Sequence, residues 1–442
     1  MFGAIIRFFD RIVQRYLPDA FIFAILLTII VFILGVGLTS STPMDMVQYW
    51  GGGFWDLLAF TMQMTLIVVT GYILASTKVM ATLMKRLALL ANTPGQAVVL
   101  VTLVASIACL INYGFGLVIG ALFAKHVVKR VPTVDYRILI AAAYSGFLVW
   151  HGGLSASIPL TIASSDHFLI DSLGVIPVTQ TLLTPYNLFI VSTLIATLPV
   201  LNYLSLKSIK QKTYIDPLFL ETEPQDELAV TKDATLTPAE RLENSSLLSL
   251  LIGGAGLLFV VTHFINNGLD LTINIVNFTM LFLGILFHRT PRRLLNSVTE
   301  GVKNAGGIII QFPFYAGIMG MMVASGLSDQ IALWFVQIST EQTLPFLTFI
   351  SAGIINFFVP SGGGQWAVQG PIMIPAAIEL GADTARVAMA VAWGDAWTNM
   401  IQPFWALPVL AIAGLKVRDI MGFCLVLLIW SFIPISIGLL FL

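Results

Sequence analysis

The chain has 442 residues, 57% of them hydrophobic and 10% charged, with a mean hydropathy of +0.91. That composition excludes a soluble globular domain, and a net charge of −1 without a basic patch gives no footing for a nucleic-acid partner. Cys109 and Cys424 each sit alone in apolar runs, which argues against a disulfide framework or a metal site, and no cofactor is called for.

From the N-terminus, Arg7, Arg11 and Arg15 recur at four-residue spacing beside apolar residues, reading as an amphipathic surface helix rather than a cleaved signal. Nine runs of spanning length follow, at 20–38, 57–76, 138–164, 186–206, 247–266, 269–287, 306–326, 385–415 and 420–442. The shorter amphipathic stretches 78–91 and 328–342 read as arms along the interface. Two apolar regions are interrupted in the middle: 96–131 around Asn112, and 344–380 around PSGGGQ. Each half is short for a crossing, so both read as re-entrant hairpins, whose irregular backbone must be buried in protein or line a wet cavity. The polar segment 207–245 is a linker between two halves.

The halves repeat. Gln63 and Gln311 stand 248 residues apart, Asn112 and Asn356 244, Arg137 and Arg386 249, Pro159 and Pro408 249. This divides the chain into a first repeat 1–206, the linker 207–245, a connecting span 246–268 and a second repeat 269–442. With the N-terminus cytoplasmic, 21 of the 22 Lys and Arg fall on the cytoplasmic side and only Arg386 outside, which makes the repeats inverted. Internal repeats of this kind place substrate on broken helices at the repeat interface.

The residues able to carry chemistry cluster at the breaks. Gly362, Gly363 and Gly364 can bare backbone N–H groups for an anion, with Ser361 and Gln365 adding side-chain hydrogen bonds and Asn356 closing the preceding half-helix. Gln365 is taken as the start of the following half-helix. The alternative is a glycine-rich packing bend. The first hairpin offers Asn112, Gly114 and Gly116 at its own break. The span after it holds Ser145, His151, Gly152, Gly153, Ser155 and Ser157. The matching span of the second half holds Asp395, Thr398, Asn399 and Gln402, with Pro403 to interrupt the helix. Asp395 is a carboxylate inside an apolar run, a costly placement that points to function, with a structural hydrogen bond as the other reading. His151 can carry a proton or contact an anion, or serve as a structural donor. Gln63 and Gln311 read as glue between helices.

The stretches RFFDRIVQRYLPDAFIFAILLT, YWGGGFWDLLAFTMQM, INYGFGLVIGALFAK, LVWHGGLSASIPL and INFFVPSGGGQWAVQGP resemble the short-chain fatty acid transporter family, the bacterial acetoacetate and butyrate uptake type. The resemblance covers essentially the whole chain. It implies uptake of short-chain monocarboxylates across the inner membrane and kinship with ion-coupled carriers of two-hairpin, elevator-like design. In sodium-coupled members of that wider group, Ser-Asn-Thr hairpin tips bind the cation and the substrate carboxylate. Here Asn112 and Asn356 persist without the flanking Ser and Thr, which favours H+ over Na+.

The expectation is therefore an all-α polytopic membrane protein with about nine spans and two re-entrant hairpins in an inverted repeat. It would act as an ion-coupled symporter for acetoacetate, butyrate or a similar monocarboxylate. The substrate would be held by Ser361, Gly362, Gly363, Gly364, Gln365, Asn112, Asn356, His151, Gly152, Gly153 and Asn399. The coupling ion falls to Asp395, His151, Asn112 and Asn356. The lipid bilayer is its setting, and a homodimer is compatible with it. An anion channel, or a carrier for another small carboxylate such as a dicarboxylate, is the alternative. A membrane enzyme is disfavoured because no paired carboxylates, metal cluster or Ser-His-Asp set converges on one face.

Overall fold

The computed structural model describes residues 20–209, 212–215, 237–402 and 404–442. The expected N-terminal surface helix, most of the linker, and the helix-interrupting Pro403 lie outside the described residues.

In chain order the first half contains α1 (Ala20–Leu38), α2 (Pro43–Gly53), α3 (Leu58–Ala75), α4 (Lys78–Ala88), α5 (Pro94–Ile111) and α6 (Tyr113–Arg130). It continues with α7 (Tyr136–Ser145), a 3-10 turn at Gly146–Gly152, α8 (Ser157–Ile162), α9 (Ile170–Leu173) and α10 (Pro185–Ser208). After α11 (Pro238–Glu243) come α12 (Ser246–Asn267), α13 (Ile273–His288), α14 (Pro291–Lys303), α15 (Gly306–Ala324) and α16 (Leu327–Ile338). The chain ends with α17 (Leu344–Ile355), α18 (Gly362–Leu380), α19 (Thr384–Thr398), α20 (Ala406–Ala413) and α21 (Val417–Phe441).

Among the described residues, eight helices are long and apolar enough to cross a membrane. Against the nine expected, 269–287 and 385–415 drop out, because α13 has only 16 residues and the latter run is broken into α19 and α20. Pro94–Ile111 is added, since that half-hairpin has 18 residues and length alone would let it span. The expectation of short hairpin halves therefore holds only for the 12-residue α17; α6 and α18 have 18 and 19 residues.

Two helices of more than ten residues were not expected. Thr42 and Asp45 form a reciprocal capping box that starts α2 inside the expected loop 39–56. Thr290 caps α14, with Pro291 at its first position. Both lie against the opposite half: α2 packs on α15, and α14 on α3. Glycine allows the first contact, since a Cβ on Gly53 would sit 3.0 Å from the Gly320 Cα.

The expected breaks are present. Between α5 and α6 the helix stops for one residue, Asn112, extended at φ −157°, ψ 127°. Between α17 and α18 it stops over 356–361. The span after each hairpin is also interrupted, at 146–156 and, among the described residues, at 399–402 and 404–405. Asp135 and Asp383 start those two spans in the same way, each accepting the first free N–H groups of its helix. The window Tyr136–Ile162 is 89% buried, against 22% for α12. The broken segments therefore lie in protein, where irregular backbone can find partners, and α12 lies at the periphery.

Candidate functional site

The second hairpin corrects one reading. Gly362, Gly363 and Gly364 do not break a helix ahead of Gln365; they form the first turn of α18, and Gln365 N–H makes the first helical bond, to Ser361 O at 2.7 Å. None has a positive φ, so left-handed backbone is not why glycine stands there. Close approach is. A Cβ on Gly362 would collide with the His151 imidazole and sit 2.8 Å from Ser157 Oγ. One on Gly363 would meet Phe60 at 2.8 Å and Met64 Sδ at 3.1 Å, and one on Gly364 the Tyr315 ring at 2.6 Å. Among the described residues no group accepts the N–H of these three glycines, and Ser361 supplies no side-chain cap. The start of α18 thus presents free donors beside His151 and Ser157.

His151 is buried and held at both ring nitrogens. Nδ1 lies against Ala392 O, and Nε2 is 3.0 Å from Ser157 Oγ. Asp395 Oδ2 stands 3.6 Å from Nδ1 and accepts a hydrogen bond from Asn399 Nδ2 at 2.9 Å. The other carboxylate oxygen, Asp395 Oδ1, is buried without a hydrogen-bond partner among the described residues.

Asn356 fastens the end of α17 to α19. Its Nδ2 lies within 3.1 Å of Asp395 O, Thr398 Oγ1 and Asn399 Oδ1. Two hydrogens face three acceptors there, and Asn356 Oδ1 has no partner among the described residues. Gln365 Nε2 donates to Ala352 O and to Gln369 Oε1, both at 2.8 Å, while its own Oε1 is unpartnered among the described residues. The close approach of α17 to α19 rests on Gly353 and Gly394, whose hypothetical Cβ atoms would run into Trp397 and Ala352.

The first hairpin tip is tied to the same segment from the other side. Asn112 Oδ1 accepts from Phe115 N–H at 2.8 Å, capping α6, and its Nδ2 is unpartnered among the described residues. Tyr113 N–H donates to Ser155 Oγ at 2.8 Å, and the Tyr113 ring packs on Trp150 with centroids 4.7 Å apart.

The chain thus brings His151, Ser361, Gly362, Gly363, Gly364, Asn356, Asp395 and Asn399 into one buried cluster, with Asn112 one layer away. Gly152 and Gly153 face elsewhere: a Cβ on Gly153 would hit the Leu110 backbone, and Gly152 packs under Trp393 and Asn187. Gln63 donates to Asn274 Oδ1 at 3.0 Å, joining α3 to α13. An open apolar groove of about 610 Å³, lined by Val99, Leu103, Ala196 and Pro199 between α5 and α10, contains none of the cluster.

The family model for the short chain fatty acid transporter matches residues 1–442. The chain belongs to that family. A relative named for short-chain fatty acid transport, from Escherichia coli (strain K12), is 47% identical over 439 residues, covering 99% of each chain. Another so named, from Haemophilus influenzae, is 46% identical over 449 residues and covers both chains completely. Among solved structures the fold is similar to the YdaH transporter of Alcanivorax borkumensis, with a TM-score of 0.59 and 17% identity over 96% of this chain and 97% of that one. This member of the short-chain fatty acid transporter family is a multi-pass membrane protein.

Three residues that pack against the cluster have no signal in the sequence. Ser157 has no role assigned from the sequence, and neither Phe60 nor Tyr315, which wall the glycines, is singled out by it. Their contacts join segments more than 200 residues apart or different helices, so no local signal could reveal them.

Proposed function

We propose that the protein is a proton-coupled carrier taking up a short-chain monocarboxylate such as acetoacetate or butyrate across the bacterial inner membrane. The observation that carries this is the contact of Gly362, at the start of α18, with His151 and Ser157. An anion there meets free backbone donors, a hydroxyl and an imidazole without any arginine. The short alkyl tail faces apolar neighbours such as Phe60 and Met64. Asp395 and His151 handle the coupling proton. An ionised Asp395 with a single side-chain donor is costly in a buried setting, and a nearby proton relieves it.

An inverted repeat supports alternating access. The packing of α2 on α15 answers that of α14 on α3, the two broken hairpins correspond, and α10 packs against α21. In this arrangement α12 is unpaired and the N-terminus is cytoplasmic. A reporter fused after Asp226 reads cytoplasmic and one at Thr181 reads periplasmic. Both on one side would remove the inverted arrangement.

A sodium-coupled reading has its own support. The oxygens of Asp395 Oδ1 and Asn356 Oδ1 are unpartnered among the described residues, and Asn356 Nδ2 is crowded by acceptors. A hard cation prefers such oxygens. Uptake of labelled butyrate by proteoliposomes decides between the two. An inward proton gradient without sodium is expected to drive accumulation above the external concentration. Accumulation only with an inward sodium gradient at equal pH selects the sodium reading. Equilibration that never exceeds the external level under either gradient selects a channel.

A further inference from the structure

Ala392 O can only accept, so the His151 nitrogen beside it, Nδ1, carries a hydrogen in every protonation state. In the neutral ring Nε2 is then a bare lone pair. The Ser157 hydroxyl, 3.0 Å away, must donate to it, and its one hydrogen is committed. When the ring takes up a proton, Nε2 becomes a donor and Ser157 Oγ its acceptor. The hydroxyl hydrogen is released and must turn elsewhere. Gly362 packs directly against the ring and that oxygen, a Cβ there lying 2.8 Å from Ser157 Oγ, and the free N–H groups of α18 begin at this glycine.

We infer that Ser157 is a donor to the substrate carboxylate and that protonation of His151 decides when it is available. This rests on the carboxylate reading above and adds a coupling route to it. The proton comes from the medium and stays on Nε2; the serine hydrogen rotates and is not transferred. A carboxylate arriving at Gly362 gains a hydroxyl donor only in the protonated protein, so anion and proton bind better together than apart. The groups facing the ring fit this assignment. Asp395 on α19, at 3.6 Å, supplies a counter-charge for the imidazolium. Tyr113 on α6 reaches it only through Trp150, on which His151 stacks. From α18 comes Gly362, which is not ionisable. A purely structural hydroxyl at Ser157 predicts no link between this residue and pH.

The test is calorimetric titration of the detergent-purified full chain with butyrate at about pH 6 and about pH 8, where the ligand remains ionised. The wild type is expected to bind about tenfold more tightly at the lower pH, the usual worth of a hydrogen bond to a charged group. Ser157→Ala is expected to lose that gain at the lower pH, so that its affinity no longer changes between the two values. An equal loss at both values makes Ser157 a pH-independent contact and overturns the gating. Unchanged affinity at both values removes Ser157 from the site. Wild-type binding that is tight but flat with pH overturns the proposal while sparing the carboxylate site. No wild-type binding at either pH overturns the carboxylate reading itself. Elution of Ser157→Ala at the wild-type position on size exclusion establishes that the variant is folded.

Discussion

Gly362→Ala is expected to reduce butyrate uptake by at least about tenfold while the protein still inserts and purifies normally. The added methyl gains helix propensity in α18, so a loss cannot come from the helix itself. It must come from what the methyl meets. The His151 ring is held by Ala392 O on one side and Ser157 Oγ on the other, and a Cβ at Gly362 would overlap it. Overpacking a buried site costs about 1–3 kcal/mol, and relief here requires giving up one of the two ring hydrogen bonds. Gly363→Ala provides the contrast. Its methyl would press on Phe60 and the flexible Met64 side chain, which can yield, so uptake should stay within about threefold of wild type. Uptake kinetics with labelled butyrate compare the two. Equal, mild effects would make the glycine turn a packing feature.

The second large effect is that of Asp395→Asn, which should abolish accumulation driven by a pH gradient yet preserve exchange of labelled for unlabelled butyrate. The carboxamide keeps the size and can still accept from Asn399 Nδ2. It cannot offset a positive His151. At 3.6 Å that attraction is about 5 kcal/mol at an effective dielectric of about 20, before desolvation is subtracted. Without it the protonated ring is disfavoured, and the carrier cycles substrate without the proton. Parallel measurement of net uptake and counterflow separates the two outcomes. Loss of both would instead mark Asp395 as structural, through Asn399 and the neighbouring Asn356 anchor.

Much of this architecture was legible because membrane burial punishes irregular backbone. Asn112, the PSGGG segment and the WGDAWTN segment stood out as polar or helix-poor sequence inside apolar runs, and each lies at or beside a break in the fold. The helices α2 and α14 escaped notice although their signals were local. TPMD carries a capping box and TPRR a Thr-Pro start, but hydropathy drew attention to longer runs. Glycine was the least readable residue. Gly362 and Gly153 both need space for a neighbour, yet one faces a histidine and a serine and the other the Leu110 backbone. Sequence specifies that a Cβ is missing, and only the fold specifies what occupies its place. The pairing of His151 with Gly362 likewise joins two separate broken segments, one in each half of the chain.

The most direct test of the carboxylate site is an experimental map of the protein with butyrate bound. The carboxylate is expected within about 3 Å of the Gly363 or Gly364 N–H and of Ser157 Oγ, with the alkyl chain toward Phe60 and Met64. Density for butyrate at the Asn112 tip alone, or in the groove between α5 and α10, with the start of α18 still packed on His151, would contradict it.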